Sequence, residues 1–155
     1  MKDYYIKKNY ITNPVEKYDQ SSKYWTKKRI YASNFFQYSV YKQMANLIDY
    51  SKKSKLIDIG CGTGHSSIAL ANFCNEIVGL DPSSDMLNKA IIDKKVNYLH
   101  WNEKKLPFPN FFFEIVTLAG SWYYGQSQYL LDELTRVTRS GGKVLLYDFN
   151  IVLNE

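Results

Sequence analysis

The chain has 155 residues, a length that one domain accounts for. With 45% hydrophobic residues, 23% charged residues and a net charge of +5, it can bury a real core, which excludes a disordered tail. No apolar run approaches the roughly 18 residues of a membrane span, and the charges of Lys2, Asp3, Lys7, Lys8, Glu16, Lys17 and Asp19 interrupt any signal-peptide pattern.

The charge is uneven along the chain. Residues 1–55 carry twelve Lys/Arg against four acids, twelve of the 25 aromatics and no glycine. Residues 56–155 carry eight bases against eleven acids, and the eight glycines begin at Gly60. The division expected is a basic, tyrosine-rich arm or lid over 1–33 and a glycine-bearing body over 34–155. Residues 1–14 read as a loose arm ending at Pro14, and Val15 to Arg29 has weak helical character. Asn34 and Gln37 form a capping box, so 35–50 is expected to be an amphipathic helix with Val40, Tyr41, Met44, Leu47 and Ile48 on one face.

Leu56-Ile57-Asp58-Ile59 runs into glycine and reads as a buried strand. A helix follows over His65 to Phe73, then a strand over Glu76 to Leu80. Ser83 is placed to cap a helix reaching about Ile92. Val96 to His100 is the third strand. Pro107 and Pro109 keep the next segment irregular, and Phe112 to Leu118 is the fourth strand. Ser127 to Arg139 is a helix that Gly141 is expected to end in a left-handed conformation, and Lys143 to Phe149 is the fifth strand. Strands alternating with helices predict an α/β, Rossmann-like three-layer sandwich around a mostly parallel sheet.

Asp58-Ile59-Gly60-Cys61-Gly62-Thr63-Gly64 joins the first strand to its helix. Glycines here allow a tight turn and let a ligand approach the backbone. The third glycine comes one residue too early for a dinucleotide fingerprint, which makes a dehydrogenase the remotest reading. Gly64-His65-Ser66 lacks the lysine of a P-loop. Asp81 ends the second strand, where an acid can accept both hydroxyls of a ribose. Cys61 and Cys74 are too few for a disulfide framework and fit no zinc spacing, so no metal is expected and a reducing cytoplasm is the default.

These pieces, in this order, resemble the class I S-adenosylmethionine-dependent methyltransferases over about residues 35–149. The D-x-G-x-G-x-G core at 58–64 is similar to the family's first motif. Gly79-Leu80-Asp81-Pro82-Ser83, followed by Met86-Leu87, is similar to the second. Leu106-Pro107-Phe108 with Phe113-Glu114-Ile115-Val116 resembles the passage into the fourth strand, and 134–143 resembles the last helix and its turn. The resemblance implies a sheet order of 3-2-1-4-5 and S-adenosylmethionine as cofactor, with S-adenosylhomocysteine as product.

By the same resemblance, Gly60, Cys61, Gly62 and Gly64 line the cofactor's methionine and ribose side. Asp58 orients the methionine amino group, directly or through water. Asp81, with Pro82 beside it, takes the ribose hydroxyls, and Met86 packs on adenine. Asn102 stands where the family usually has an Asp that accepts from the adenine amino group, and an Asn carbonyl can do the same. Trp101 and Glu103 contribute backbone, and Ala119 sits beside the sulfonium with Gly120 and Ser121. The family's sheet has seven strands, and the last two are not evident here. That leaves an apolar fifth-strand edge, for which pairing by another chain or a swapped segment is expected, the alternatives being a sequence fragment or cover by the N-terminal arm.

The activity implied is methyl transfer to an unidentified acceptor, with a small molecule favoured. The aromatics of Trp122-Tyr123-Tyr124 and of the arm favour an apolar or aromatic one. His65, His100, Tyr123 and Tyr124 are the candidate bases, and either histidine has a purely structural reading. Two alternatives remain open. One is an RNA or protein methyltransferase docking through the basic arm. The other is a cofactor-binding or assembly module without turnover.

Overall fold

A computed structural model of the chain describes residues 54–102, 104–122 and 127–147, together with Gln43 and Asn46. The arm and most of the expected 35–50 helix lie outside the described residues; Gln43 and Asn46, within that span, are helical and exposed. Five strands form one sheet: β1 (Lys55–Ile59), β2 (Glu76–Asp81), β3 (Val96–His100), β4 (Phe113–Ala119) and β5 (Thr138–Tyr147). Among the described residues three helices connect them: α1 (His65–Leu70), α2 (Ser84–Leu87) and α3 (Gln128–Val137).

The order is β3-β2-β1-β4-β5 and every described pairing is parallel, as expected. From β1 the chain builds to one side through β2 and β3, then returns to place β4 on β1's other side. Parallel sheets are covered on both faces because their crossovers lie there. Period-two alternation sorts β1 accordingly. Ile57 and Ile59 join Val78, Leu80, Val116 and Leu118 under α3, where Leu130, Leu134 and Val137 pack. Leu56 joins Ile77 and Ile115 under α1. Asp58 shares that second face with Leu56, which explains how an acid in mid-strand is 0% exposed.

Three helices end earlier than expected, and for the last the register of β5 gives the physical reason. α1 and α2 are short, ending at Leu70 and Leu87. α3 ends at Val137, and Gly141 does not terminate it. Its left-handed φ of 75° falls inside β5, where the pairing steps from Phe113 with Thr138 to Ile115 with Lys143. Extra residues on one strand make a bulge, and the glycine accommodates it.

The irregular proline segment is held by one ion pair. Glu133 Oε2 accepts the Leu106 amide at 2.7 Å, and the same carboxylate receives Arg136 Nε and NH2, each at 2.7 Å. Arg136 also donates to the carbonyls of Leu106 (3.0 Å) and Phe108 (2.7 Å). A segment with few backbone partners of its own is thereby bolted to α3.

Candidate functional site

The direction of strand addition reverses between β1 and β4, and in open α/β sheets a crevice forms there beyond the strands' carboxyl ends. The glycine loop leaves β1 at this point. Gly60 and Cys61 donate their amides to Leu80 O at 2.7 and 3.0 Å, so the loop is stitched to the end of β2. Gly62 has φ 54°, and a Cβ added there would meet nothing within 4 Å among the described residues. Among those residues its backbone therefore faces open space, a cradle that a side chain would fill. Gly64, with φ 84°, has the Tyr98 hydroxyl packed against it where a Cβ would stand. Tyr98 reaches it from β3 across Gly79, and its hydroxyl donates to Ile91 O at 3.0 Å.

Asp81 is 7% exposed at the end of β2. Its Oδ2 accepts the Gly62 amide at 2.7 Å, and its Oδ1 accepts the Ser83 amide at 2.8 Å. One carboxylate thus ties the glycine loop to the turn that starts α2. The expected Ser83 cap is present, its hydroxyl accepting the Met86 amide at 3.2 Å, and Met86 is buried. His100 Nε2 donates to Pro82 O at 3.0 Å, because a carbonyl can only accept. Trp101 is buried, donating its amide to Asp81 O and its indole N–H to Lys104 O. Asn102 is exposed beside it. Ala119, Gly120 and Ser121 end β4 against the loop, and Ser121 donates to Ile59 O at 2.5 Å.

Asp58 lies beneath this crevice. Its Oδ2 accepts the hydroxyls of Ser66 and Ser67, both at 2.6 Å, and its Oδ1 accepts that of Thr117 at 2.9 Å. Burial pushes its pKa up, and the three hydroxyls pull it back. Burial also raises the Cys61 thiol well above its usual range and lifts Cys74 to about 12, so neither buried, free cysteine is a thiolate nucleophile at neutral pH. His65, half-buried at the start of α1, has its pKa lowered by desolvation. Trp122 packs against the α3-side core. Glu103, Tyr123 and Tyr124 lie outside the described residues. No group of His, Cys, Asp and Glu that could hold a metal ion occurs among the described residues.

The hydrogen bonds thus bring Gly60, Cys61 and Gly62 to the end of β2 at Leu80 and Asp81, with Gly64 at the start of α1 and Ala119 at the end of β4. Thr117, Ser66, Ser67 and Tyr98 were not singled out from sequence. Two adjacent serines just after the third glycine were the only available signal, since Thr117 and Tyr98 arrive from distant strands.

Residues 57–146 match the family described as a methyltransferase domain. Demethylmenaquinone methyltransferase of Bacillus cereus is 37% identical over 114 residues, covering 67% of this chain and 48% of that protein. The Bacillus anthracis protein of the same name matches equally. The chain spans about half the length of these curated relatives. The YcgJ protein of Bacillus subtilis shares the fold with a TM-score of 0.64 at 24% identity, over 70% of this chain and 49% of that one. An S-adenosylmethionine-dependent methyltransferase of Aquifex aeolicus does so with a TM-score of 0.63 at 19% identity, over 70% and 63%. Among the described residues no helix is long and apolar enough to cross a membrane. By the domain it matches, the chain belongs to the methyltransferase domain family, and its fold is that of class I methyltransferases such as the S-adenosylmethionine-dependent enzyme of Aquifex aeolicus.

Proposed function

We propose that this chain transfers a methyl group from S-adenosylmethionine to a small-molecule acceptor in the cytoplasm. The observation that carries the reading is the Gly62–Asp81 bond, which joins an open glycine cradle to a carboxylate at the switch point of the sheet. The residues present fit the cofactor: the cradle admits a ligand against backbone, and Asp81 sets a carboxylate, the acceptor type that a ribose diol takes, at the end of β2 beside it. When bound, the cofactor supplies a methyl group activated on a sulfonium.

The chain's own residues bind and orient. Gly60, Cys61, Gly62 and Gly64 form the wall of the methionine and ribose side. Asp81 accepts the ribose hydroxyls, Pro82 and Met86 bound the adenine side, and Trp101, Asn102 and Glu103 complete it. Ala119 borders the reacting centre. Catalysis on this reading is mostly positioning and exclusion of water, which holds an acceptor in line for displacement. The name of the Bacillus relatives supports a small-molecule acceptor, and the aromatics of 1–33, read as a lid, favour an apolar or aromatic one. Association of two copies through β5 belongs to the same proposal, since Val144 and Leu146 are 40% and 48% exposed there. Light scattering that shows a monomer at every concentration removes that part.

The test is calorimetric titration with S-adenosylmethionine and S-adenosylhomocysteine. Micromolar binding that Asp81→Ala weakens at least about tenfold is expected, because a charge-assisted hydrogen bond is lost. A folded protein that binds neither ligand overturns the reading. The excess of twelve bases over four acids in 1–55 favours a second reading, docking on RNA. An RNA affinity falling steeply with salt would support it.

A further inference from the structure

We infer that Asp58 serves the cofactor site as a positioning residue, acting through Ser66, Ser67 and Thr117 and not by touching the methionine amino group. The inference rests on the cofactor reading above and replaces the contact that the resemblance implied for Asp58.

Three observations converge. Asp58, Ser67 and Thr117 are 0% exposed and Ser66 is 3% exposed, so the carboxylate is enclosed by protein. Both of its oxygens are engaged by hydroxyls, two on Oδ2 and one on Oδ1. The three donors come from two elements that flank the glycine loop, the first turn of α1 and the middle of β4.

The reason for the arrangement lies in the N-terminus of α1. Its cap residue is Gly64, which has no side chain and makes no side-chain cap bond. Glycine is required there by the close approach of Tyr98 and by the positive φ, so a Ser or Asp cap is not available. Asp58 fastens the turn from below instead. It grips Ser66 and Ser67, just beyond the loop, and it sits on β1, just before the loop. Both ends of the Gly60–Gly64 segment are thereby held to one carboxylate. Thr117 holds that carboxylate in one orientation and also lies within 3.3 Å of Ile57 O. The loop's amides are then presented in a fixed geometry to whatever enters the crevice, a preorganisation that lowers the cost of binding.

The experiment compares S-adenosylhomocysteine with S-adenosyl-4-thiobutyrate, which lacks only the α-amino group. Both are titrated into the wild type, Asp58→Asn, Thr117→Val and Thr117→Ser, at a temperature where circular dichroism shows each variant folded. Asp58→Asn replaces one acceptor oxygen by a donor, so at least one of the three hydroxyls loses its acceptor. The expected result is a loss of roughly tenfold or more that is equal for the two ligands. Thr117→Val shows a smaller, equally uniform loss, and Thr117→Ser restores binding. Hydrogen exchange of the amides of residues 60–64 rises in Asp58→Asn without ligand, while that of α3 does not.

A loss confined to S-adenosylhomocysteine means direct contact with the amino group and overturns the inference. Lowered thermal stability with both affinities unchanged makes the network structural only and overturns it as well. If Asp58→Asn does not fold, Thr117→Val and Ser66→Ala, which keep the carboxylate, carry the same comparison. A wild type that binds neither ligand defeats the cofactor reading instead, and the exchange measurement still decides whether Asp58 orders the loop.

Discussion

Asp58 and Glu133 are both buried carboxylates, 0% and 6% exposed, yet the protein accommodates them in opposite ways. Asp58 is surrounded by neutral hydroxyls, and burial raises its pKa. Glu133 is gripped by the Arg136 guanidinium, whose hydrogen bonds hold its pKa below the usual carboxylate range, while Glu133 in turn raises that of Arg136. The first sits beneath the loop that shapes the crevice. The second bolts a proline-rich segment to α3. Enclosing an ion without a counter-ion costs free energy, whereas a buried ion pair recovers much of that cost through attraction and hydrogen bonds. The difference separates a device for presenting a loop from a device for holding one down.

The largest effect should come from breaking the ion pair. Arg136→Leu leaves Glu133 buried without its partner and frees the carbonyls of Leu106 and Phe108, at a cost of about 3 kcal/mol or more. Denaturant unfolding measures it. The affinity of the folded fraction for S-adenosylhomocysteine should change little, which contrasts with Asp58→Asn. Equal losses of affinity in the two variants would erase the distinction drawn between the carboxylates.

The two sites should also answer pH with opposite sign. A carboxylate with a depressed folded pKa contributes stability above its unfolded pKa and loses it as pH falls through the folded value. Glu133 behaves so, and Glu133→Gln should flatten the acid side of the melting-temperature profile. A carboxylate with a raised folded pKa contributes most below its unfolded pKa and loses that contribution as pH rises through the folded value. The stability of wild type relative to Asp58→Asn should therefore shrink from about pH 3 towards neutrality. Thermal melts at several pH values check both, and profiles that shift together would refute the assignment.

Smaller changes sharpen the comparison. Gly79 has ordinary backbone angles, but an added Cβ would stand 2.7 Å from the Tyr98 ring and 3.0 Å from Cys61 Sγ. Gly79→Ala should cost about 1–3 kcal/mol through overpacking, and Tyr98→Leu in the same chain should recover part of it. Ser83→Ala and Ser127→Ala each remove a helix cap, the first accepting from Met86 N and the second from Leu130 N. Each should lower stability by about 1 kcal/mol. Only Ser83→Ala should weaken cofactor binding, because its helix begins beside Asp81.

Much of this architecture was legible in the chain. The short run Leu56 to Ile59 followed by glycines, the acid at the end of the second strand and the strand–helix alternation all reside in local patterns. The expected order 3-2-1-4-5 follows from them through the resemblance and is the order found. The Ser83 cap was readable for the same reason, since cap and bonded amide lie three residues apart. Gly141 was not. Its value depends on the register of β5 against β4, so a residue suited to end a helix serves a bulge instead.

The sequence by itself determined where the strands and the glycine loop fall and which acid ends β2, because backbone propensities and hydrophobic periods act over a few residues. Only the tertiary structure decided what Asp58 does. Thr117 lies 59 residues away in the chain and reaches the carboxylate only because β4 pairs with β1. Tyr98 reaches Gly64 only because β3 lies two strands from β1 with a glycine on the strand between them. Arg136 meets Leu106 and Phe108 only once α3 has packed on its face of the sheet. Partners brought together by strand pairing and helix packing leave no local mark in the chain, since their distance is set by the folded backbone.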